Sequence, residues 1–469
     1  MTVSLLVIAG VALQIAAVFF VWRAAARART AQGAVAWAVF LLAAPYLAVP
    51  LYALFGHHRD RPPARSRREA QAVSAGIGMT AGRHAPRERT GLMRRMEAIS
   101  GLPVVTGNAT RLLIDGQETF DALFAAMDAA ERSLLVQFYI LRDDPMGAAL
   151  SERLLAAAAR GVEVHLLYDP VGSFGLPRRF RERLRAGGVH VFEPGALRPS
   201  RNRLRLNYRN HRKTVVADGR VGFLGGLNVG EEYMGRGQPP LAPWRDTHLR
   251  VEGPLAAQLQ LVFAEDWHWM TGERLIDRLD WEPPARADGR AAVLVPTGPA
   301  DGTEAGALMF FSLIGAARRR VWIASPYFVP DTDVLTALKA AALGGVEVRL
   351  LLPEAIDHTL PWLAAFAYFD EVREAGVEIW RYHAGFMHQK AVLVDDRVAA
   401  VGTANLDNRS FRLNFEAMAV VFDPGFAAEV EAMLVSDFAR ASRLQAGLAE
   451  QPLARRVGAV GARLLAPIL

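Results

Sequence analysis

Residues 211–218 read HRKTVVAD, and residues 388–395 read HQKAVLVD. Both spell H-x-K-x4-D, with His211, Lys213 and Asp218 in the first copy and His388, Lys390 and Asp395 in the second. Each is followed, at the same distance, by a small-residue turn ending in asparagine: Gly225-Gly226-Leu227-Asn228 and Gly402-Thr403-Ala404-Asn405. The lysines are informative because they are rare. Of the 54 Lys and Arg residues only Lys213, Lys339 and Lys390 are lysine, and 51 are arginine. A chain that otherwise uses arginine places a lysine where it needs a compact ammonium rather than a planar fork.

The duplication extends outward from the motifs. The patterns predict a helix over 117–130, a buried strand over 134–141, a helix over 147–160 and a strand over 162–168. The order returns as a strand over 320–327, a helix over 333–343 and a strand over 346–352. RGVEVHLL in the first set matches GGVEVRLL in the second. Around the motifs, TVVADGRVGFLGG and AVLVDDRVAAVGT predict hairpins. The repeat is about 180 residues long, as one duplicated α/β unit with helical crossovers between parallel strands would give. The expected fold class is α/β: two similar domains, 106–290 and 291–469, packed about a pseudo-twofold axis.

The N-terminus differs. Residues 3–22 are apolar and uncharged, and a second apolar run covers 34–55, with Trp37, Tyr46 and Tyr52 as interfacial aromatics. We expect two transmembrane helices, a hairpin, within residues 1–56. The leading MTVS carries no basic residue, unlike a cleaved signal peptide. Arginines at 59, 61, 65, 67 and 68 favour cytoplasmic chain ends, with the catalytic domains cytoplasmic at the inner membrane. Residues 57–105 read as a basic juxtamembrane linker, either attracted to anionic head groups or simply solvated.

A histidine and a lysine two residues apart share one face of a strand. Two such pairs in one cleft suit a phosphodiester. The lysines, with Asn228 and Asn405 as substrate-binding amides, would hold the anionic oxygens. One histidine can attack phosphorus, and the other can protonate the leaving alkoxide. Each needs a carboxylate on its other ring nitrogen. We expect Asp246 to orient His211 and Glu416 to orient His388. Asp218 and Asp395 complete the candidate catalytic set by motif, but they fall at turns, where such side chains fix a loop. The nine other histidines (57, 58, 84, 165, 190, 248, 268, 358 and 383) read as structural. Tyr139 and Tyr327, at equivalent strand ends, read as core or as cleft mouth. With no cysteine there is no thiolate metal site, and no glycine-rich phosphate loop occurs.

With these residues in hand, the chain resembles the phospholipase D superfamily and, within it, the bacterial cardiolipin synthases along nearly its whole length. The similarity is carried by VQFYILRDDPMG, LLYDPVGS, NYRNHRKTVVADG, GGLNVGEEYMG, WRDTHLRVEGP, SPYFVPDTD, HQKAVLVDD, GTANLDNRSFRLNFE and the terminal RLLAPIL. The resemblance implies transfer of a phosphatidyl group between two phosphatidylglycerol molecules, giving cardiolipin and glycerol through a phosphohistidine. It implies His211 as nucleophile and His388 as acid/base, with Lys213, Asn228, Lys390 and Asn405 around the phosphate. It implies no metal or other cofactor. Gly226 departs from the superfamily pattern, which often has serine there. The alternative is a membrane-anchored phospholipase D yielding phosphatidic acid. A nuclease would use basic stripes such as Arg201–Arg205, but two apolar spans argue against a nucleic-acid partner. A scaffold would have lost a motif residue, and none is lost.

Overall fold

The computed structural model describes residues 2–27, 31–55, 85–192, 208–299, 301 and 303–469. Most of the expected basic linker, the Arg201–Arg205 run, His57, His58 and His84 lie outside the described residues. The N-terminal helices belong to one compact unit and the two α/β halves to another.

In the first unit, α1 (Thr2–Arg27), α2 (Ala31–Ala43) and α3 (Pro45–Phe55) pack around Ala24, Leu41, Ala48 and Tyr52. The second expected span is therefore two helices, broken at Ala44. A proline disfavours helical geometry at the residue before it, and Pro45 starts α3. At about 1.5 Å per residue, α2 and α3 reach only about 20 and 17 Å, short of the roughly 30 Å hydrocarbon core. The side chains of residues 2–7 and 9 are not described. Among the described residues no helix is long and apolar enough to cross a membrane.

The first α/β half contains β1 (Val105–Ile114), β2 (Ser133–Phe138), β3 (Glu163–Tyr168), β4 (His190–Val191), β5 (Arg209–Asn210), β6 (Thr214–Ala217), β7 (Val221–Gly225), β8 (Trp244–Arg245) and β9 (Thr247–Glu252). The second contains β10 (Arg290–Thr297), β11 (Arg320–Ala324), β12 (Phe328–Val329), β13 (Glu347–Pro353), β14 (Glu378–Tyr382), β15 (Phe386–Met387), β16 (Ala391–Val394), β17 (Val398–Gly402), β18 (Leu406–Asp407), β19 (Asn414–Phe422) and β20 (Ala441–Arg443). From one edge inward the order is β4-β3-β2-β6-β7-β9-β1. From the other, inside the extra edge strand β20, it is β14-β13-β11-β16-β17-β19-β10. Each strand thus meets its repeat-mate's position, as a twofold between β1 and β10 produces.

The sheet is mixed rather than wholly parallel. β2–β3 and β11–β13–β14 are parallel and joined by helices, as right-handed crossovers allow. The motif hairpins β6–β7 and β16–β17 add antiparallel strands. Helices cover these strands, so their buried runs, such as LLVQF and AVLV, lack polar alternation. Asp144, Asp331 and Asp423 cap three helix N-termini through side-chain acceptance of backbone N–H groups.

Two buried ion pairs sit at the join. Arg212, between β5 and β6, reaches Asp266 on helix Pro254–Thr271 (2.5 Å) and the carbonyl of Glu416 in the other half (2.9 Å). Arg245 makes two 2.8 Å bonds to Asp437 on helix Pro424–Phe438, again across the halves. Gln389 also donates to Asp437 (2.8 Å) and accepts from Thr247 (2.9 Å). Removing one member strands a buried charge, which costs about 3–5 kcal/mol. Asp437→Ala is therefore expected to lower the unfolding free energy by about that amount in denaturant titration. A loss below about 1 kcal/mol would show that the pair does not hold the halves.

Candidate active site

Two short parallel strand pairs cross between the halves and place the motif histidines. β5 pairs with the start of β19, and β15 pairs with β8. The His211 amide donates to the carbonyl of Phe415 (3.0 Å), and the His388 amide donates to that of Arg245 (2.8 Å). The residue after each carbonyl is a carboxylate aimed at the histidine. Glu416 lies 2.9 Å from His211 Nδ1, and Asp246 lies 2.9 Å from His388 Nδ1.

This reverses the expected pairing. Asp246 was expected to serve His211 and Glu416 to serve His388, each within its own half. The exchange follows from the strand crossing: the chain around each motif pairs with the other half, so the nearest buried acid belongs to that half. Both histidines are nearly buried, and both carboxylates are fully so.

The H-x-K segments lie just before β6 and β16 rather than within them. The lysines nonetheless return to their histidines. Lys213 Nζ donates to the His211 carbonyl (2.6 Å), and Lys390 Nζ donates to that of His388. Both ammonium groups are buried. Asn228 accepts from the Ile140 amide (3.0 Å) and donates to the Tyr233 hydroxyl (3.2 Å). Asn405 Oδ1 is buried with no hydrogen-bond partner among the described residues. Such an acceptor is costly unless a donor, such as a hydroxyl, arrives with a ligand.

The two carboxylates are held differently. Glu416 also accepts from Thr403 Oγ1 (2.6 Å), Ser410 Oγ (3.0 Å) and Asn414 Nδ2 (3.1 Å). Asp246 accepts from the Thr247 amide (2.8 Å) and Trp244 Nε1 (3.3 Å). Gly226 occupies the position equivalent to Thr403. A Cβ there would come within 2.0 Å of Asp246 Oδ1, so the carboxylate fills the space a side chain would need. The missing hydroxyl is thus replaced by closer approach of the acid.

Asp218 and Asp395, in the candidate catalytic set by motif, are not among the residues lining the cavity onto which the histidines open, and their carboxylates hold backbone amides instead. Each sits at its hairpin turn in left-handed geometry, φ 54° and 50°. Asp218 accepts from the amides of Glu131, Arg132 and Ser133 (2.7–3.0 Å), clamping the loop that leads into β2. Asp395 does the same for Arg318, Arg319 and Arg320 before β11.

The histidines open onto a cavity of about 520 Å³ that Asn228 and Asn405 also line. Tyr139 and Tyr327 line it as well. Tyr139 lies edge-on to His211 (4.9 Å between centroids), and the Tyr327 hydroxyl donates to Asp357. Residue-by-residue reading missed Arg209 and Arg409, which bring guanidinium groups to the wall, and Trp244, packed 5.1 Å from His388. The placement of Arg209 two residues before His211 was the available signal. Among the described residues one group could hold a metal: Glu163, His165 and His190, on β3 and β4. The Arg278 guanidinium already lies 3.3 Å from Glu163, and none of the three lines the cavity.

Burial sets the protonation states. It pushes His211 down to about 4, against the upward pull of Glu416 and with the help of Lys213. It pushes His388 down to about 3, helped by Lys390 and opposed by Asp246. Burial also takes Lys213 well below its ordinary value and Lys390 to about 8. It would raise both carboxylates, but their histidines and the lysines outweigh it and hold Asp246 and Glu416 low. At neutral pH each imidazole therefore donates Nδ1–H to a carboxylate and keeps a lone pair on Nε2.

Two outcomes follow from this geometry. Asp218→Ala is expected to lower stability by about 2–4 kcal/mol, through three lost charge-assisted bonds, while turnover per folded molecule changes little. A collapse of turnover at unchanged stability would restore the aspartate to the chemistry. The depressed histidines also fix a pH dependence. The unfolded chain takes up protons from about 6.5 downward, whereas the folded histidines wait until about 3 to 4. The histidines therefore make stability fall as pH drops from 6.5 to 4, so the melting temperature should drop across that window. A flat profile from pH 7 to 5 would contradict it.

Comparison with known proteins identifies the family. A family model described as "Cardiolipin synthase, PLD-like domain" matches residues 123–267 and 310–438. Cardiolipin synthase A of Pseudomonas aeruginosa is 47% identical over 455 residues, covering 94% of this chain and 91% of that protein. Cardiolipin synthase A of Pseudomonas syringae pv. syringae is 46% identical, covering 94% of both. Among solved structures, the phosphatidylserine synthase of Haemophilus influenzae Rd KW20 superposes with a TM-score of 0.61 at 16% identity, over 81% of this chain and all of that one. At that identity the likeness concerns the fold.

Proposed function

Since this chain belongs to the cardiolipin synthase family of PLD-like proteins, we propose that it joins two phosphatidylglycerol molecules into cardiolipin and releases glycerol. The observation that carries the chemistry is the pair of carboxylate-oriented histidines facing one cavity.

In the first step, His211 Nε2 attacks the phosphorus of one phosphatidylglycerol. The bond from phosphorus to the glycerol head-group oxygen breaks, and His388, protonated at Nε2, gives that oxygen its proton. The bound phosphodiester anion favours this protonation, because it places negative charge beside an imidazole that burial otherwise keeps neutral. Glycerol leaves, and the phosphatidyl group remains on His211. In the second step, His388 takes the proton from a hydroxyl of the second phosphatidylglycerol. That oxygen attacks phosphorus, the phosphorus–nitrogen bond breaks, and cardiolipin forms with both histidines restored. Lys213, Lys390 and the asparagine amides stabilise the charge that builds on the phosphoryl oxygens. Substrate phosphate favours the ammonium form of both lysines, which burial otherwise depresses.

We further propose that the N-terminal helices keep the enzyme at a membrane. In support, α1 exposes Ile8, Val11, Ile15, Val18, Phe19 and Trp22, each at least 49% accessible. A cavity held at a lipid layer favours resolution of the intermediate by a lipid hydroxyl over resolution by water.

The test is lipid analysis after incubation with phosphatidylglycerol in mixed micelles. Wild type should yield cardiolipin and glycerol in equal amounts. His211→Ala and His388→Ala should each lose at least about three orders of magnitude in rate. Phosphatidic acid as the main product would make the enzyme a hydrolase, and cardiolipin formation surviving both substitutions would overturn the mechanism. Acid-avoiding peptide mass analysis of quenched enzyme should find the phosphatidyl group on His211. Finding it on His388 would exchange the two roles.

A further inference from the structure

Helix Leu453–Arg463 turns the wrong way out for an ordinary surface helix. Its inner face is made of small residues and one arginine. Ala459 and Ala462 are buried, Gly458 lies against Leu363, and Arg455 lies over the rings of Trp362 and Phe366 on helix Thr359–Glu374. The large aliphatic side chains point outward. Leu453, Val457, Val460 and the C-cap residue Leu464 are 71, 64, 60 and 80% exposed. Steps of four, three and four residues align them in one stripe along the helix. Arg456, also exposed, falls along one flank of that stripe, and Arg463 on the same flank turns its guanidinium over the Tyr368 ring (5.1 Å to the centroid). An unbroken row of aliphatic groups in water marks a surface that something covers.

The same segment continues into the catalytic cavity. Ile468 and Leu469 line it, with the Leu469 carbonyl accepting from the Arg409 amide (2.8 Å) and the Ile468 carbonyl accepting from the Arg409 side chain (3.2 Å). Two further exposed aliphatic residues, Ile356 and Leu360, lie beside the cavity residues His358 and Pro361. The stripe is therefore continuous in the chain with the wall of the cavity, and the helix beneath it carries part of the cavity's apolar rim.

We propose that this helix lies flat on an anionic phospholipid surface, with the Leu453–Leu464 stripe among the acyl chains and Arg456 among the phosphates. The cavity mouth then opens onto the layer that supplies its substrate. Aliphatic stripe and arginine flank together match an anionic lipid surface, in which apolar and negatively charged layers are stacked. The inference rests on the reading of the cavity as a phosphatidylglycerol site, and it assigns that site its approach to the substrate.

The chain has no cysteine, so one can be introduced and labelled alone. Full-length Val457→Cys carrying an environment-sensitive fluorophore is reconstituted in phosphatidylglycerol vesicles, with Glu152→Cys, on an exposed helical position, as control. Emission from position 457 should shift to the blue and be quenched by lipids brominated on their acyl chains, and emission from position 152 should not. Unquenched, water-like emission at 457 overturns the proposal. Blue-shifted emission without lipid quenching also overturns it and puts a protein on the stripe instead. A second variant replaces Leu453, Val457, Val460 and Leu464 with serine. Its turnover of long-chain phosphatidylglycerol in vesicles should fall about tenfold, with turnover of a water-dispersed short-chain phosphatidylglycerol kept within about twofold. Equal losses on both substrates count against the proposal. The quenching result does not depend on turnover, so a wild type that makes no cardiolipin would sink the functional reading and leave the surface assignment to be judged separately.

Discussion

The structure depends on a crossed contact: each motif histidine is oriented by a carboxylate that belongs to the other half. A hydrogen bond of 2.9 Å between buried groups leaves little positional freedom. The halves must therefore dock with bond-length accuracy, and several features serve that docking. The short pairs β5–β19 and β8–β15 fix the backbone, and the amides of His211 and His388 extend them. Arg212 and Arg245 reach across to partners in the other half. The sheet, continuous through β1 and β10, sets the same alignment over a longer range.

Symmetry in the backbone coexists with asymmetry in the site. One carboxylate is a glutamate with three neighbouring donors besides its histidine, and the other is an aspartate with two. Thr403 and Gly226 are the compensating pair: the longer acid leaves room for a hydroxyl, and the shorter one is reached by bringing the backbone in. Both arrangements leave the imidazole neutral with Nε2 toward the cavity. The two halves have thus reached one protonation state by different side chains.

Much of this was legible in the sequence because it is local. The 2.0-residue and 3.6-residue patterns gave the crossovers, and the Asp-Gly and Asp-Asp-Arg turns gave the motif hairpins, in which Asp218 and Asp395 are structural clamps as their turn positions implied. What failed was non-local. Nothing in the spacing of WRD or LNFE says which histidine its acid will meet, since that depends on β8 and β19 crossing to the other half. Arg212 and Gln389 occupy the variable position of H-x-K and look interchangeable on paper, yet each closes a different buried network. The N-terminal runs were read as two uniform apolar segments, and a single proline divides the second.

The exchange of carboxylates also makes the enzyme a tethered dimer. A half taken alone carries a histidine and an acid that belong to different pairs of the one site, so it holds no oriented imidazole. Joining the two halves in one chain turns their association into an intramolecular event with an effective concentration in the millimolar range. Site assembly then no longer depends on how much protein the cell makes. The interface can also keep buried charges such as Arg245 and Asp437, whose desolvation a free dimer at cellular concentration would have to offset with a larger apolar contact.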